Sequence, residues 1–324
     1  MLRHERMWKR QPGATTCLVA LPGYASAGRI RLVVGSVVVL LVTMSAQAVI
    51  IRGGDGSGNT AAPLDDPGWA NVGRRGVGSA VYLGNGWVLT AAHVGAGTVQ
   101  FGGEDFDARA GSAVRLHDPS NPDVLVDLMM FQIDGAPEGA ESLSISSTTP
   151  AGGTDVIGIG YGRNRQEEST WWNSSWQQET GSPRYRGFEY DEGRTKRWGE
   201  NDIDVGGFKV NAGWGATWAL RMDFDRFGGQ GGNEFQAADG DSGGGLFSFN
   251  GSEWELCGLM MAVGIYGSQP DETAVFGDYT YAVDLSRYYD QLTTVMAMPE
   301  PASVVLIATG AMMMLIRRQR RKTA

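Results

Sequence analysis

The chain has 324 residues, with 27 Lys and Arg against 36 Asp and Glu, and a formal net charge of −9. The two ends hold 11 of the basic residues and two of the acids, so residues 49–298 keep 16 basic and 34 acidic residues, a net charge of about −18. Such a surface repels nucleic acid and anionic lipid, which excludes nucleic acid as a partner. The length allows one large domain or two small ones.

The first 48 residues have the pattern of an export signal. Arg29 and Arg31 precede an apolar run over residues 32–42, and two alanines two positions apart follow it, ending at Ala48. That spacing of small residues is the one that signal peptidase favours. As a helix, the run is too short to cross the ~30 Å hydrocarbon core of a membrane. We therefore predict a signal peptide over residues 1–48, cleaved after Ala48, and an exported protein.

Residues 52–73 are rich in Gly, Asp, Asn and Pro, which predicts a loop ahead of the first clear strand. Within it, Asp55, Ser57 and Asn59 have the alternating spacing of a calcium loop. The rest of that spacing and the terminal bidentate acid are missing. We favour a plain surface loop and expect no metal.

Short apolar runs separated by turn residues fill the middle of the chain. They are SAVYLGNGWVLTAAHV, DVLVDLMMFQI, DVIGIGYG, TWALRMDF, GLFSF and WELCGLMMAVGIYG. Helical periodicity occurs only near residues 283–295. This pattern predicts an all-β protein with a short C-terminal helix. Residues 161–216 are predicted to be large surface loops around a short strand or two, of a size that often shapes a binding cleft.

A glycine-rich turn, DGDSGGGLF at residues 239–247, carries the strongest chemical signal. A nucleophilic serine needs a tight turn that exposes its hydroxyl and points backbone N–H groups at the substrate carbonyl oxygen. Flanking glycines make such a turn sterically possible. Ser242 has this setting, and the alternative is a chance serine in a glycine-rich turn.

A serine hydroxyl becomes a good nucleophile only when a neighbouring imidazole takes its proton. His93 ends an apolar strand, whereas His117 lies in a polar segment that predicts a solvated loop. The third member should be a buried carboxylate that orients the imidazole. Asp127 lies inside an apolar run, and its competitor Asp123 follows Asn-Pro and has the character of a turn residue, so Asp127 is favoured.

Together these motifs resemble the chymotrypsin/trypsin family of serine proteases. The segments TAAH at His93, VDLMMFQI at Asp127 and GDSGG at Ser242 occur in that family's order, and the resemblance covers about residues 49–292. It implies two packed six-stranded antiparallel β-barrels with the active site between them. It also implies a serine endopeptidase that acts on protein or peptide substrates without a cofactor, with an oxyanion hole formed by the N–H groups of Gly240 and Ser242.

The resemblance also assigns a substrate pocket. In the family, the residue six positions before the nucleophile lies at the pocket floor, and here it is the neutral Gln236. Gly264 and Gly277 would line the walls. We expect a preference for uncharged side chains, unless a shifted loop brings the charge of Asp239 into the pocket.

An activating ion pair is a further implication. In trypsin-like zymogens a newly freed hydrophobic amino terminus pairs with the aspartate before the nucleophile, which here is Asp241. Cleavage after Ala48 would expose Val49 at the start of VIIRGG, which resembles the family's Ile-Val-Gly-Gly terminus with an insertion. Signal peptidase would then make the activating cut. The alternative is that Val49 merely begins the first strand.

The C-terminal end places Pro-Glu-Pro before an apolar stretch over residues 302–316 and a basic tail over residues 317–322. This order resembles the PEP-CTERM sorting signal of Gram-negative bacteria, which an exosortase processes. The predicted organisation is therefore a signal peptide, a protease domain over residues 49–297 and a sorting segment over residues 298–324. The protein would be at the cell surface or extracellular, held transiently in the membrane by that segment. The alternative function is a catalytically inactive, protease-like binding or matrix protein.

Overall fold

The computed structural model describes residues 3–6, 49–181 and 183–298. Their regular secondary structure is almost all β-strand, with three short 3-10 helices and one α-helix. The strands of the first half are β1 (Arg3–Arg6), β2 (Ile50–Ile51), β3 (Val72–Arg75), β4 (Gly78–Gly84), β5 (Trp87–Thr90), β6 (Val99–Phe101), β7 (Glu104–Phe106), β8 (Val114–Asp118), β9 (Asn121–Gln132) and β10 (Ser144–Ile145).

The second half continues with strands and ends in the helix that its periodicity predicted. The strands are β11 (Asp155–Gly160), β12 (Arg163–Arg165), β13 (Thr170–Trp172), β14 (Tyr185–Arg194), β15 (Arg197–Asp202), β16 (Val205–Val210), β17 (Thr217–Asp223), β18 (Phe235–Gln236), β19 (Gly245–Phe249), β20 (Trp254–Tyr266), β21 (Thr273–Val275) and β22 (Tyr279–Asp284). The 3-10 helices are Trp69–Asn71, Gly231–Asn233 and Leu285–Tyr288, and α1 is Tyr289–Met296.

The first sheet has seven strands in the order β7-β6-β3-β4-β5-β9-β8. All residues of β4 and β5 are buried, which their Val, Leu and Trp content favours. The second sheet has nine strands, with β15-β11-β19-β20-β22-β17-β16 in a row and with β1 and β10 also paired to β20. Leu89 and Leu128 of the first sheet share one hydrophobic cluster with Ile159 and Leu259 of the second, so the sheets pack on a common core.

The predicted pair of closed six-stranded barrels is wrong in two respects. The sheets have seven and nine strands, and each ladder is an open path, because β7 does not pair with β8 and β15 does not pair with β16 among the described residues. Strand patterns in a sequence show which residues are buried, whereas closure depends on pairing between the outermost strands. The predicted mostly β fold with one short C-terminal helix is confirmed.

Residues 161–216 contain more strand than predicted. β12, β13 and β14 form a separate four-stranded sheet with β21, and β15 and β16 join the second sheet. In β15 the buried positions are Arg197, Gly199 and Asn201, which alternate with half-buried residues. A strand whose inward side chains are polar lacks the apolar alternation by which strands are found in a sequence.

The two predicted addressing segments lie outside the described residues, except for β1 at the start and Met298 at the end. Within the part of the chain that the structure describes, no helix has the length and apolar character to cross a membrane. The signal peptide over residues 1–48 and the sorting segment over residues 298–324 remain predictions.

A glycine allows close packing between β11 and β18. A Cβ atom added at Gly158 would lie 2.5 Å from Cζ of Phe235, which is fully buried. Gly158→Ala should therefore force this contact apart and lower the free energy of unfolding by about 1–3 kcal/mol, measured by urea denaturation. Gly232→Ala is the matched control, since its Cβ would approach Gly53 Cα no closer than 3.8 Å. Equal losses in both variants would contradict this packing.

Candidate active site

Pairing of β5 with β9 brings His93 and Asp127 together. His93 follows three residues after Thr90 at the end of β5, and Thr90 lies opposite Met129 of β9. The Nδ1 atom of His93 is 2.7 Å from Oδ2 of Asp127, and the backbone N–H of His93 donates to Oδ1 at 3.0 Å. Asp127 is only 2% exposed. Both carboxylate oxygens are thus engaged by one residue, which fixes the imidazole with Nε2 directed away from the carboxylate.

The competing residues of the same types lie elsewhere. Asp123 is exposed on the outer part of β9. His117 was expected in a solvated loop, but it is half-buried within β8, where its backbone pairs with the Gln291 side chain. His117 belongs to a strand because the β8–β9 hairpin is long. The outer half of this hairpin is polar, so its sequence pattern predicts a loop.

Sequence reasoning missed the segment that covers this pair. The hydroxyl of Thr217 accepts a hydrogen bond from the Asp127 backbone N–H at 3.0 Å. The Trp214 ring lies 6.0 Å from the His93 ring, centroid to centroid, at an interplanar angle of 35°. Trp214 lies in the turn between β16 and β17, and Thr217 is the first residue of β17, so the long region after residue 161 contributes directly to the site. Their distance in sequence from His93 left no signal by which to find them.

Ser242 lies at the centre of a sharp turn before β19. Gly240 and Gly243 have φ angles of 102° and 87°, which favour glycine. The Gly244 N–H closes the turn by donating to Asp241 O at 2.7 Å. The Ser242 hydroxyl is 3.5 Å from Met261 O in β20. The turn is tight and flanked by glycines, as the motif predicts, whereas Ser242, whose hydroxyl was predicted to be exposed, is only 1% exposed.

Ser79 of β4 docks this turn against the first sheet. Its N–H donates to Ser242 O at 2.8 Å, and its hydroxyl donates to Gly240 O at 2.9 Å. The same hydroxyl accepts the Tyr161 N–H at 2.9 Å. A Cβ at Gly243 would lie 2.0 Å from Ser79 O, so the turn approaches β4 closely enough to require glycine there. One buried serine thereby joins both sheets at the predicted nucleophile.

Arg194 holds the peptide that joins Asp239 to Gly240. Its guanidinium donates to the Asp239 carbonyl and, at 2.5 Å, to the Asp239 carboxylate. The Arg163 N–H donates to the same carbonyl at 2.8 Å. In a trans peptide the C=O and N–H bonds point in opposite directions. The Gly240 N–H is therefore held on the side opposite these donors, and the Asp239 charge is neutralised.

Asp241 is fully buried beside the turn. Its Oδ2 accepts the Ala238 N–H at 2.8 Å, and Oδ1 has no hydrogen-bond partner within the described residues. Cβ atoms at Gly160 and Gly162 would lie 2.2 Å and 2.3 Å from its carboxylate oxygens, so these glycines make room for it. Burial raises the pKa of Asp241 to about 7, against the lowering effect of the Ala238 and Gly162 N–H groups.

Val49, the residue after the predicted cleavage site, is buried. It is 1% exposed and shares a hydrophobic cluster with Met260. A Cβ at Gly160 would touch both Met260 Cε and Asp241 Oδ1, which places Met260 next to the carboxylate. The following residue, Ile50, pairs with Gln236 in the β2–β18 ladder. The segment that begins at Val49 is therefore buried and paired with β18 rather than exposed.

The three predicted pocket residues converge on Tyr279. Gln236 is buried and donates from Nε2 to Tyr279 O at 3.0 Å. Gly264 lies opposite Tyr279 in the β20–β22 ladder, and a Cβ there would be 2.9 Å from the Tyr281 ring. Gly277 precedes Tyr279 by two residues and has a φ angle of 90°. The side chain at the predicted pocket floor, Gln236, is thus neutral, and its amide is hydrogen-bonded to the Tyr279 backbone carbonyl.

The segment compared with a calcium loop forms a local turn. Oδ1 of Asp55 accepts hydrogen bonds from the N–H and the hydroxyl of Ser57, at 2.7 Å and 2.5 Å. These bonds lower the pKa of Asp55, with the Ser57 hydroxyl as the largest cause. In the described part of the chain no three His, Cys, Asp or Glu side chains are grouped as metal ligands would be.

The chain matches known proteins at the level of a family. The family model described as Trypsin matches residues 55–288, which is more than half of the chain. No curated protein matches the chain.

Several solved structures are similar to it in fold. The Rv3671c protease of M. tuberculosis, in its inactive form, is 17% identical over 71% of this chain and 91% of that chain, with a TM-score of 0.41. Neuropsin, a serine protease expressed in the limbic system of mouse brain, is 18% identical over 74% of this chain and 98% of that chain, with a TM-score of 0.44. A mutant of human heparin binding protein is 16% identical over 75% and 97%, with a TM-score of 0.47.

In the full-length chain, Asp241 should make the protein less stable as the pH rises. Its pKa is about 7 in the fold, against an ordinary value of 3.8, so between these pH values the folded chain holds a proton that the unfolded chain releases. The free energy of unfolding should then fall by about 1.4 kcal/mol per pH unit, on the order of 4 kcal/mol between pH 4 and pH 7. Urea denaturation across this range measures the slope.

Asp241→Asn is the control for this effect, because the amide does not titrate. Its unfolding free energy should lack this share of the decline and keep the contributions of other groups, such as Glu234, whose pKa burial also raises to about 7. Identical pH profiles for the variant and the unaltered chain would show that Asp241 is not the group responsible.

Proposed function

Since the chain belongs to the trypsin family of serine proteases, which the match over residues 55–288 shows, we propose that it is a serine endopeptidase using Ser242, His93 and Asp127. The observation that supports this most is the double contact between His93 and Asp127, through the ring and the backbone N–H. A carboxylate held in this way fixes the imidazole tautomer and stabilises the imidazolium that forms in catalysis. Acyl transfer to a serine uses such a histidine–aspartate pair to take the proton from the serine hydroxyl.

In this mechanism Ser242 Oγ bonds to the scissile carbonyl carbon while His93 Nε2 takes the hydroxyl proton. The N–H groups of Gly240 and Ser242 donate to the resulting oxyanion. His93 then gives the proton to the leaving amine, the C–N bond breaks, and an acyl-enzyme forms. Water, deprotonated by His93, releases the acid product and restores Ser242. The clamp of Arg194 on the Asp239 carbonyl supports this role by fixing the orientation of the Gly240 N–H.

Substrate binding by strand addition is supported by β20. The edge of β20 near Ser242 begins at Met261, and β1 shows that residues 263–266 accept an antiparallel strand. A peptide that pairs here reaches the nucleophile in an extended conformation, with its backbone N–H and C=O groups satisfied. The neutral Gln236 and the absence of side chains at Gly264 and Gly277 favour uncharged residues before the scissile bond.

Activation by an N-terminal ion pair also belongs to this proposal. A chain that starts at Val49 would place an α-ammonium group beside the buried Asp241, whose Oδ1 has no hydrogen-bond partner in the described structure. The pair would order the turn from Asp239 to Ser242 and lower the pKa that burial raises. Removal of the signal peptide after Ala48 would then switch the enzyme on as it is exported.

We also propose that the protein reaches the cell surface or the extracellular space of a Gram-negative bacterium, with an exosortase-type enzyme acting on residues 298–324. The Pro-Glu-Pro motif, apolar stretch and basic tail support this address. An acidic domain over residues 49–298 suits export and does not suit nucleic acid.

Ser242→Ala should abolish hydrolysis of a peptide library with little loss of stability, because the side chain is small and its hydroxyl is as far as 3.5 Å from Met261 O. His93→Ala should reduce the rate by several orders of magnitude, because it removes the base that takes the Ser242 proton. The matched control is Ser144→Ala, a half-buried serine of β10 that contacts Glu253 and should leave the rate unchanged. Comparable hydrolysis by the unaltered chain and Ser242→Ala would favour the inactive binding protein.

One residue added ahead of Val49 should lower kcat/KM by roughly two to four orders of magnitude, because loss of one partner from a buried ion pair costs about 3–5 kcal/mol. The reference is a chain whose first residue is Val49, released from a ubiquitin fusion. Asp241→Asn in that chain should lower activity to a similar extent, and the extension should then have no further effect. Full activity in the extended chain would refute N-terminal activation while leaving the triad untouched.

A further inference from the structure

Arg165, the last residue of β12, holds backbone that lies far from it in sequence. It is 2% exposed, and its guanidinium donates five hydrogen bonds. Nε donates once and each terminal nitrogen donates twice, so every N–H group of the guanidinium is used. The acceptors are the backbone carbonyls of Ile51, Gly53, Gly54, Gln166 and Glu167. Because none of these acceptors is a carboxylate, the contacts fix the course of the chain rather than neutralise an acid.

An aromatic ring fixes the plane of this guanidinium. Cζ of Arg165 lies 4.0 Å from the centroid of the Phe188 ring, which is buried in β14. Burial lowers the pKa of Arg165 to about 10, so the side chain remains charged at neutral pH. A planar fork supported in this way loses little side-chain entropy for each hydrogen bond that it forms. Neither Lys nor Gln has enough donors to replace all five bonds.

The N-terminal segment, residues 50–54, contacts both Arg165 and the predicted substrate pocket. Its Ile50 pairs with Gln236, the predicted pocket floor, in the β2–β18 ladder. Residues 225–236, which end at this floor, form the pocket segment. Arg165 and the pocket segment therefore contact the same short stretch of chain.

Arg52 joins the N-terminal segment to the pocket segment through three hydrogen bonds, one from its backbone N–H and two from its guanidinium. The acceptors are the carbonyls of Glu234, Asp225 and Gly228, at 2.8 Å, 3.1 Å and 2.9 Å. The next residue, Gly53, donates its N–H to Gly232 O at 2.8 Å. A Cβ atom at Gly53 would lie 2.7 Å from Gly232 Cα, so the two segments are in close contact.

The turn that carries Ser242 has anchors of its own. The Ser79 hydroxyl donates to Gly240 O, and Arg194 donates to the Asp239 carboxylate. Neither anchor belongs to the N-terminal segment. Loss of Arg165 should therefore loosen the pocket segment before it disturbs the nucleophile.

We propose that Arg165 is a positioning residue for substrate binding, which sets the pocket floor by holding the N-terminal segment against the pocket segment. The inference rests on the proposed peptidase function for the role of the pocket, whereas the hold itself is measured without catalysis. Without Arg165, buried carbonyls of the N-terminal segment lose their donors, which favours movement of this segment toward water. Gln236 would then lose its fixed position, and substrate side chains would meet a pocket without a fixed floor.

Hydrogen–deuterium exchange of the full-length Ser242→Ala chain measures the hold directly. In Arg165→Gln, exchange over residues 49–58 and 225–236 should accelerate by about tenfold, because local opening exposes their amides. Exchange over residues 78–90 of the first sheet should be unchanged. Arg109→Gln removes an arginine that is paired with Asp134, and as the control it should alter exchange in neither segment.

Kinetics of the active chain separate the pocket from the nucleophile. Arg165→Gln should raise KM for a peptide substrate by about tenfold and change kcat by less than about threefold, since the lost interaction serves binding. A small fluorophosphonate has no side chain to fill the pocket, so its rate of reaction with Ser242 should also change by less than about threefold. Arg165→Lys keeps the charge and part of the donor set, and it should recover part of the lost affinity.

Arg52→Gln tests the same path from the N-terminal segment and covers the case in which Arg165→Gln fails to fold. It removes the two side-chain hydrogen bonds to the pocket segment and should raise KM as well. Because both arginines act on the pocket segment, the double variant should show less than the sum of the two free-energy effects. Fully additive effects would mean separate routes and would overturn the proposal.

Unaltered exchange over the pocket segment would overturn the proposal, and so would exchange that accelerates over the whole chain, since that is a general loss of stability. Equal losses in kcat/KM and in the labelling rate would also overturn it, because the nucleophile rather than the pocket would then depend on Arg165. Accelerated exchange confined to the two segments, in a chain that neither hydrolyses peptides nor is labelled, would refute the peptidase function and leave the hold of Arg165 standing.

Discussion

The proposed chemistry depends on the docking of one turn of the second sheet onto one strand of the first. His93 and Asp127 belong to the first sheet and Ser242 to the turn before β19, so no local sequence can hold all three in register. Ser79 makes the connection, since its backbone and hydroxyl bond to Ser242 O, Gly240 O and the Tyr161 N–H. If the sheets separated, these groups would bond to water instead, so each hydrogen bond contributes about 0.5–1.5 kcal/mol to holding the sheets together. The hydrogen bonds that hold the two sheets together therefore also set the geometry of the site.

A second constraint on the turn is that it must accommodate the fully buried carboxylate of Asp241. Its carboxylate fits only because residues 160 and 162 are glycines, and burial keeps its pKa near neutrality. A buried acid without a full set of partners destabilises the state that contains it, unless a cation arrives. Arg194 holds the peptide between Asp239 and Gly240 in the same turn. The order of the turn that carries Ser242 therefore depends on how the Asp241 carboxylate is accommodated.

The sequence predicts the parts of the fold and the site that depend on neighbouring residues, and it does not predict contacts between residues far apart in the chain. Local patterns of apolar residues and glycines predict the strands, the terminal helix and the turn at Ser242. The pairing of β5 with β9 brings His93 to Asp127, the carboxylate that the sequence favours. Thr217 lies 90 positions from Asp127, and Ser79 lies 161 positions from Gly240, so neither left a local signal. The closed barrels were wrong, and the loops after residue 161 hid strands, because β15 turns Arg197 and Asn201 inward. Polar residues that face inward can be explained only once their partners are known.

The central claim is that Ser242 is a nucleophile made reactive by His93. A fluorophosphonate probe tests it directly, because such a probe forms a covalent bond only with an activated serine, and mass spectrometry of the digested protein locates the adduct. The account predicts one adduct, on Ser242, with a labelling rate that falls by orders of magnitude in His93→Ala and in Asp127→Asn. Labelling of Ser242 at the same rate without His93, or no labelling in a folded chain that begins at Val49, would contradict it.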